Sequence, residues 1–173
     1  MDYQILYAFT TATLALALAP GPDNIFVLTL SMAKGKKYGL AVVAGLMAGC
    51  LVHTSLVAFG MAALIEQSTG LFLAIKVLGA VYLVYLAYQV YVHEAKVTLK
   101  SGHKMQKGLF DLFKKGFLMN VLNPKVALFF LAFFPGFLFS STIDPKVQFY
   151  VLGLLFILVS SIVFVGIALM AGS

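Results

Sequence analysis

Charge is missing from five long stretches of this chain. Tyr3 to Pro22, Tyr38 to Ile65, Val77 to His93, Val126 to Ile143 and Val147 to Ser173 contain no Asp, Glu, Lys or Arg. A bilayer core of ~30 Å is crossed by about 20 apolar residues in a helix. The runs therefore predict five membrane helices, at about 5–32, 39–62, 70–91, 116–139 and 147–171. A buried soluble helix can be apolar all round, but several in succession would leave almost nothing polar to face water. The chain opens Met1-Asp2-Tyr3 with no basic segment, and its apolar run is too long for the core of a cleaved leader, so it is read as the first membrane helix. The fold class is all-α integral membrane protein, a single membrane domain over 1–173.

The polar interruptions set the organisation. Lys34-Gly35-Lys36-Lys37 separates helices one and two. Segment 92–115 separates three and four and carries Lys96, Lys100, Lys104, Lys107, Lys114 and Lys115. The other connections hold Glu66 on one side and Asp144 with Lys146 on the other. If the helices alternate, nine Lys against one place the first two segments in the cytoplasm and the N-terminus outside. The halves are then 1–92 with helices one to three, a cytoplasmic Lys-rich loop 92–115, and 116–173 with helices four and five. A second layout fits the same charges: segment 5–32, interrupted at Pro20-Gly21-Pro22, as a re-entrant hairpin with the N-terminus inside. The full span is the favoured one.

Composition agrees: 62% of residues are hydrophobic and 10% charged, against about 45–50% and 25% in soluble domains. The net charge of +6 comes entirely from Lys. In loops of a membrane protein these set orientation, so no nucleic-acid partner is expected. The one cysteine, Cys50, lies mid-span and is read as a small hydrophobe. Ala41, Gly45 and Gly49 form a small-residue ridge that lets another helix come close, within the chain or in a homodimer. Tyr82, Tyr85, Tyr88 and Tyr91 run toward the cytoplasmic end of helix three, where an interfacial aromatic belt accounts for the last two or three without a ligand.

Four ionisable groups interrupt the apolar spans: Asp23, His53, Lys76 and Lys125. An Asp or Lys at a helix centre costs about 2.5–3.5 kcal/mol on insertion scales, and such groups usually face a bundle interior and pair. At 1.5 Å per residue, Asp23 and Lys125 fall within roughly 4–7 Å of the midplane on the cytoplasmic side. Opposite charges at equal depth imply either an ion pair that locks two helices or a pair that lines a solute path and rearranges. His53 and Lys76 are secondary candidates, slightly outside the midplane. A neutral histidine bonded in a helix interface explains the first, and a snorkelling side chain can explain the second.

Both midplane charges directly follow a proline, in Pro20-Gly21-Pro22-Asp23-Asn24 and in Asn123-Pro124-Lys125. Proline removes a backbone donor and crowds the carbonyl four residues back, so helices break there. It also suits the first position of a new half-helix, with Asn123 placed as an N-cap. The half-helix N-terminus would then present N–H groups and a positive dipole end near the midplane. Corresponding broken helices in two halves point to a transporter's binding site. With three helices before loop 92–115, the second half is an inverted repeat of the first, with helices one and four broken. A small polar solute is the implied cargo.

These stretches also resemble the lysine exporter (LysE) and homoserine/threonine exporter (RhtB) family of bacterial amino-acid efflux proteins. The likeness rests on Pro20-Gly21-Pro22 continuing to Gly35 and Gly39, on Gly45 and Gly49, on KVLGAVYLVYLAY at 76–88, and on GFLMNVLNPKVALFFLAFFPGF at 116–137. It implies a multi-pass protein of the bacterial cytoplasmic (inner) membrane that exports amino acids or close derivatives, driven by the proton gradient. The functional elements it implies are Pro20, Gly21, Pro22 and Asp23 in the first half, with Asn24 beside them, and Asn120, Asn123, Pro124 and Lys125 in the second. Family members normally have one more helix after the fifth. This sequence stops at Met170-Ala171-Gly172-Ser173, so the second repeat is expected to be incomplete.

On that reading Asp23 takes the ammonium of an amino-acid zwitterion, while Lys125 and half-helix N–H groups take the carboxylate. Asp23 then couples to protons when the pair separates. The alternatives are a non-catalytic membrane subunit or a channel-like pore, with a membrane-embedded enzyme more distant. His53 is the only histidine within a span, His93 and His103 lie in the Lys-rich loop, and no His-Glu-x-x-His spacing occurs. No metal or cofactor is expected.

Overall fold

The computed structural model of the chain describes residues 2–67, 69–92 and 108–172. Among them no strand occurs, and the helices are α1 (Tyr3–Leu18), α2 (Pro22–Lys34), α3 (Lys36–Gln67), α4 (Thr69–Val92), α5 (Leu109–Val121), α6 (Pro124–Leu128) and α7 (Pro145–Ala171). A π-helical turn, Phe129–Phe133, and a 3-10 turn, Phe134–Phe137, extend α6. Pro135 has no N–H for the carbonyl of Leu131 and its ring crowds that carbonyl, a local reason for the widened turn before it.

Two stretches, Lys36–Gly60 and Pro145–Ala171, are long and apolar enough to cross a membrane. Two more qualify as broken spans, α1 with α2 (bent by 57°) and α5 with Pro124–Phe137 (bent by 48°). With α4, five segments correspond to the five expected helices of an all-α membrane protein. On α7, Leu154, Leu158 and Ile162 are exposed while Phe156, Ser160 and Phe164 are buried. One stripe of an almost wholly apolar helix thus packs on the protein, and the rest suits hydrocarbon.

The hairpin alternative for the first segment does not fit the ends of α1 and α2. Asp2 caps α1 through its carboxylate, and its N–H donates to the Phe139 carbonyl (2.9 Å), beside the start of α7. Gly35 ends α2 with φ of 96°, a left-handed conformation that favours glycine, and the next residue, Lys36, touches Gly172 at the far end of α7. The α1–α2 segment therefore runs alongside the whole 27-residue α7, about 40 Å. It traverses.

The second broken helix runs the other way. Residues 2 and 139 meet at one end, 23 and 123 at the breaks, and the Lys115 ammonium sits 3.9 Å from the Phe26 ring centre toward the other. This antiparallel pairing is the inverted relationship expected of the two halves.

Two expectations need correction. Residues 109–115, assigned to the Lys-rich loop, already belong to α5. Leu112 is buried there beside Val42 and Leu46, and Lys114 lies against its own helix's Phe110 ring at 4.5 Å, so lysines on the outer face do not end the helix. The Gly45–Gly49 ridge is not a free seam for a homodimer. A Cβ on Gly45 would strike the backbone of Phe113 and Phe117, one on Gly49 would strike Asn120, and Gly116 of α5 abuts Val42 in return. The ridge joins α3 to α5 within the chain. The side chains of Lys76 and Tyr91, and all of His93, His103 and the lysines at 96–107, lie outside the described residues.

The apolar core forms two clusters. One holds Phe9, Phe129, Phe130, Phe134, Phe149 and Phe156; Phe130 and Phe134 stack at 4.1 Å and Phe9 meets Phe134 edge-on at 5.1 Å. The other holds Val27, Val42, Leu46, Leu112, Phe164 and Ala168. Beyond the first, buried Gln148 holds segment 138–144. Its Oε1 accepts from the N–H groups of Phe139 and Ser140, and its Nε2 donates to the carbonyls of Ser140 and Ile143.

Candidate functional site

A broken helix exposes two kinds of orphan group at membrane depth: carbonyls where the first piece ends and N–H groups where the second begins. In the first span, Ala19 ends α1, and extended Gly21 (φ −155°, ψ 174°) leads to Pro22 at the first position of α2. The orphan carbonyls are occupied by side chains. Asn24 Nδ2 donates to the Ala17 carbonyl, and Lys125 Nζ donates to the Ala19 carbonyl, both at 2.7 Å. Asp23 stands in the first turn of α2. Each charge thus sits at the helix end of opposite sign: the cation at a C-terminus, the carboxylate at an N-terminus.

In the second span the break falls at Leu122-Asn123. The Asn123 Oδ1 caps α6 by accepting from the Lys125 N–H (3.0 Å), while its Nδ2 donates to Asp23 Oδ2 (2.7 Å). One asparagine therefore caps its own helix and holds the carboxylate of the other. Direct Asp23–Lys125 hydrogen bonding is replaced by this arrangement, although Lys125 is near enough to act electrostatically on the carboxylate. The reason is positional: the ammonium is drawn to the open end of α1 and the carboxylate to the Asn123 amide. Asn123 caps the second half-helix, as expected from its position, through the Lys125 N–H, whereas no side chain caps the start of α2.

Asn120, one turn before the break, ties α5 to α3. Its carbonyl accepts from His53 Nε2 (3.1 Å), which fixes a proton on that nitrogen, and its Nδ2 lies 3.5 Å from Cys50 Sγ. His53 is buried, its ring 5.4 Å from that of Phe130. It is a hydrogen-bonded interface histidine.

Between the two apolar clusters lies a cavity of ≈ 30 Å3. Gly21, Asp23, Asn24, Asn120, Asn123 and Lys125 line it, six of the nine principal candidates. Pro20, Pro22 and Pro124 are exposed and act on the backbone instead. The walls are completed by Cys50, read from the sequence as a small hydrophobe, and by residues that the sequence reading did not single out, among them Met47, Phe156, Ser160 and Phe164. For Ser160 a signal existed: it lies on the four-residue repeat of Phe156, Ser160, Phe164 and Ala168 in an otherwise apolar span. Among the described residues, no group of three or more His, Cys, Asp or Glu converges as metal ligands would.

Known proteins match this chain along nearly its whole length. The LysE type translocator family matches residues 14–173. A homoserine/homoserine lactone efflux protein of Salmonella typhimurium is 31% identical over 173 residues, covering 99% of this chain and 82% of the relative. Its counterpart in Salmonella typhi is 32% identical with the same coverage. A Vibrio cholerae protein described as an uncharacterized membrane protein is 33% identical over 172 residues, again 99% and 82%. No solved structure matches. The family match and these identities make the chain a member of the LysE type translocator family.

Proposed function

We propose that this chain is a multi-pass protein of the bacterial inner membrane that exports amino acids or close derivatives from the cytoplasm by proton antiport. The observation that carries the reading is the meeting of two antiparallel broken helices at one largely apolar cavity, with residues bearing a carboxylate and an ammonium both on its wall. A zwitterion needs an acceptor and a donor. Asp23 is the acceptor for the ammonium group. Lys125 is the donor for the carboxylate, leaving the Ala19 carbonyl as it turns to the solute. The relatives' names, homoserine and homoserine lactone efflux, support a small amine-bearing cargo.

A cavity of ≈ 30 Å3 is far smaller than the roughly 150 Å3 that admits a benzene-sized guest, and so too small for an amino acid. Transport therefore requires the broken helices to part, and the widened π turn at Phe129–Phe133 is a natural place for one to yield. Once Asp23 loses its partners it is the group that takes up the returning proton. The lysines of the 34–37 and 92–115 segments support a cytoplasmic face there and an external N-terminus.

The test is efflux of L-homoserine from loaded cells expressing the chain, with and without a protonophore, beside Asp23→Asn. Efflux that needs the gradient and is lost in the variant is expected. Gradient-driven efflux at full rate in Asp23→Asn would sink the coupling role. Solute flow indifferent to the gradient would favour a channel-like pore.

A further inference from the structure

Three buried side-chain oxygens have no hydrogen-bond partner and belong to residues on the cavity wall: Oδ1 of Asp23, Oδ1 of Asn120 and Oγ of Ser160. The residues come from α2, α5 and α7 and are 5%, 4% and 2% exposed. Buried polar atoms are nearly always partnered, and each orphan costs about 1–3 kcal/mol. The buried hydroxyls of Thr13 and Ser31 also lack partners, but neither residue is on this wall.

The other ends of the same side chains are occupied. Asp23 Oδ2 accepts from Asn123, and Asn120 Nδ2 donates one of its two N–H groups to Cys50 Sγ. The atoms left without a partner on these three cavity-lining residues are all oxygens. Gly49 is required for this: a Cβ there would come within 2.7 Å of Asn120 Oδ1 and displace it.

We propose that Asp23, Asn120 and Ser160 together take the three N–H bonds of a primary ammonium group, and that Ser160 makes the site select primary amines. The inference rests on the exporter reading and specifies how its site recognises cargo. A primary ammonium offers three donors and no acceptor, the complement of three oxygens of which one is charged. Homoserine and homoserine lactone, the solutes in the relatives' names, share that group, whereas only the open form has a free carboxylate. A site built on the ammonium serves both.

The test is calorimetric titration of the full chain in detergent with L-homoserine and its N-methyl and N,N-dimethyl derivatives, alongside L-homoserine counterflow in proteoliposomes. Affinity is expected to fall about tenfold for each N–H removed. In Ser160→Ala, homoserine should weaken about tenfold while the N-methyl derivative changes little, so the gap between them closes. Equal affinities in the unaltered protein, no binding of any of the three, or sodium competing as well as homoserine would each overturn the proposal. So would a Ser160→Ala loss equal for all ligands, the mark of a purely structural role. Should Ser160→Ala fail to fold, the methylation series decides alone. Ranked binding without counterflow would remove the exporter reading and keep the ammonium site; counterflow blind to N-methylation would do the reverse.

Discussion

The Lys125 ammonium lies 2.7 Å from the carbonyl oxygen of Ala19, so the cation of the second broken helix terminates the first. Asp23, four residues beyond that carbonyl, sits at the opposite dipole end, and Asn123 joins it to the second helix. Each half completes the break in the other. A buried ion pair in contact gains its attraction at a heavy desolvation cost. Separate partners leave each charge satisfied on one side and open on the other.

Removing the ammonium strands a carbonyl. Lys125→Met, close in length, should lower stability in detergent by about 1–3 kcal/mol and abolish homoserine efflux. Lys125→Arg keeps a donor for Ala19 and should unfold near the parent's midpoint. A Met variant as stable as the parent would show that the cap contributes nothing.

Asn123 performs two tasks that substitution can separate. Asn123→Ser keeps a capping oxygen but is too short to reach Asp23, and Asn123→Ala loses both. Thermal unfolding should place Ser above Ala by about 1 kcal/mol, while efflux fails in both. Equal stabilities would mean that the cap on Lys125 N–H is dispensable.

Glycines within apolar helices should behave in opposite ways according to what faces them. Gly45→Val meets the Phe113 backbone, which cannot move aside as a flexible side chain would, and overpacking of this kind costs about 1–3 kcal/mol. Gly166 has nothing within 4 Å of a built Cβ. Gly166→Ala should therefore raise helix stability by about 0.5–1 kcal/mol. Membrane yield and unfolding midpoints of the pair check both signs.

Gln148→Leu removes an acceptor from two N–H groups and a donor from two carbonyls at once. A loss of about 3 kcal/mol is expected, with early proteolysis between 138 and 144 as its local signature. Because Gln148 is remote from the cavity lining, the relative affinities of homoserine and its N-methyl form should not change.

Much of this was legible from residue order. The charge-free runs placed the spans, the prolines placed the breaks, and counting 1.5 Å per residue put Asp23 and Lys125 at one depth. Depth is what a linear sequence encodes well for a membrane helix. Azimuth is not, because α3, α4 and α7 are apolar nearly all round and show little preferred face. The contact between the two charges was therefore expected to be direct, when Asn123 and the Ala19 carbonyl stand between them. The Gly45–Gly49 ridge announced a close neighbour without saying that it is α5. Ser160 became a candidate only once packing showed which stripe of α7 faces inward. The start of α5 was missed for another reason: Lys114 and Lys115 read as loop, although their helix buries Leu112 on its other side.

The bonds that complete the first break come from far along the chain, with 100 residues between Asp23 and Asn123 and 106 between Ala19 and Lys125. At roughly 5–20 residues per second, a ribosome reaches Lys125 on the order of 5–20 s after it has made Asp23. During that interval the first segment has a carboxylate and an open carbonyl whose native partners do not yet exist. Water or the insertion machinery must serve them until the fourth span arrives. A ribosome that stalls in the 92–115 segment leaves in the membrane a half-protein with its most polar atoms unmatched, ready for quality-control proteases.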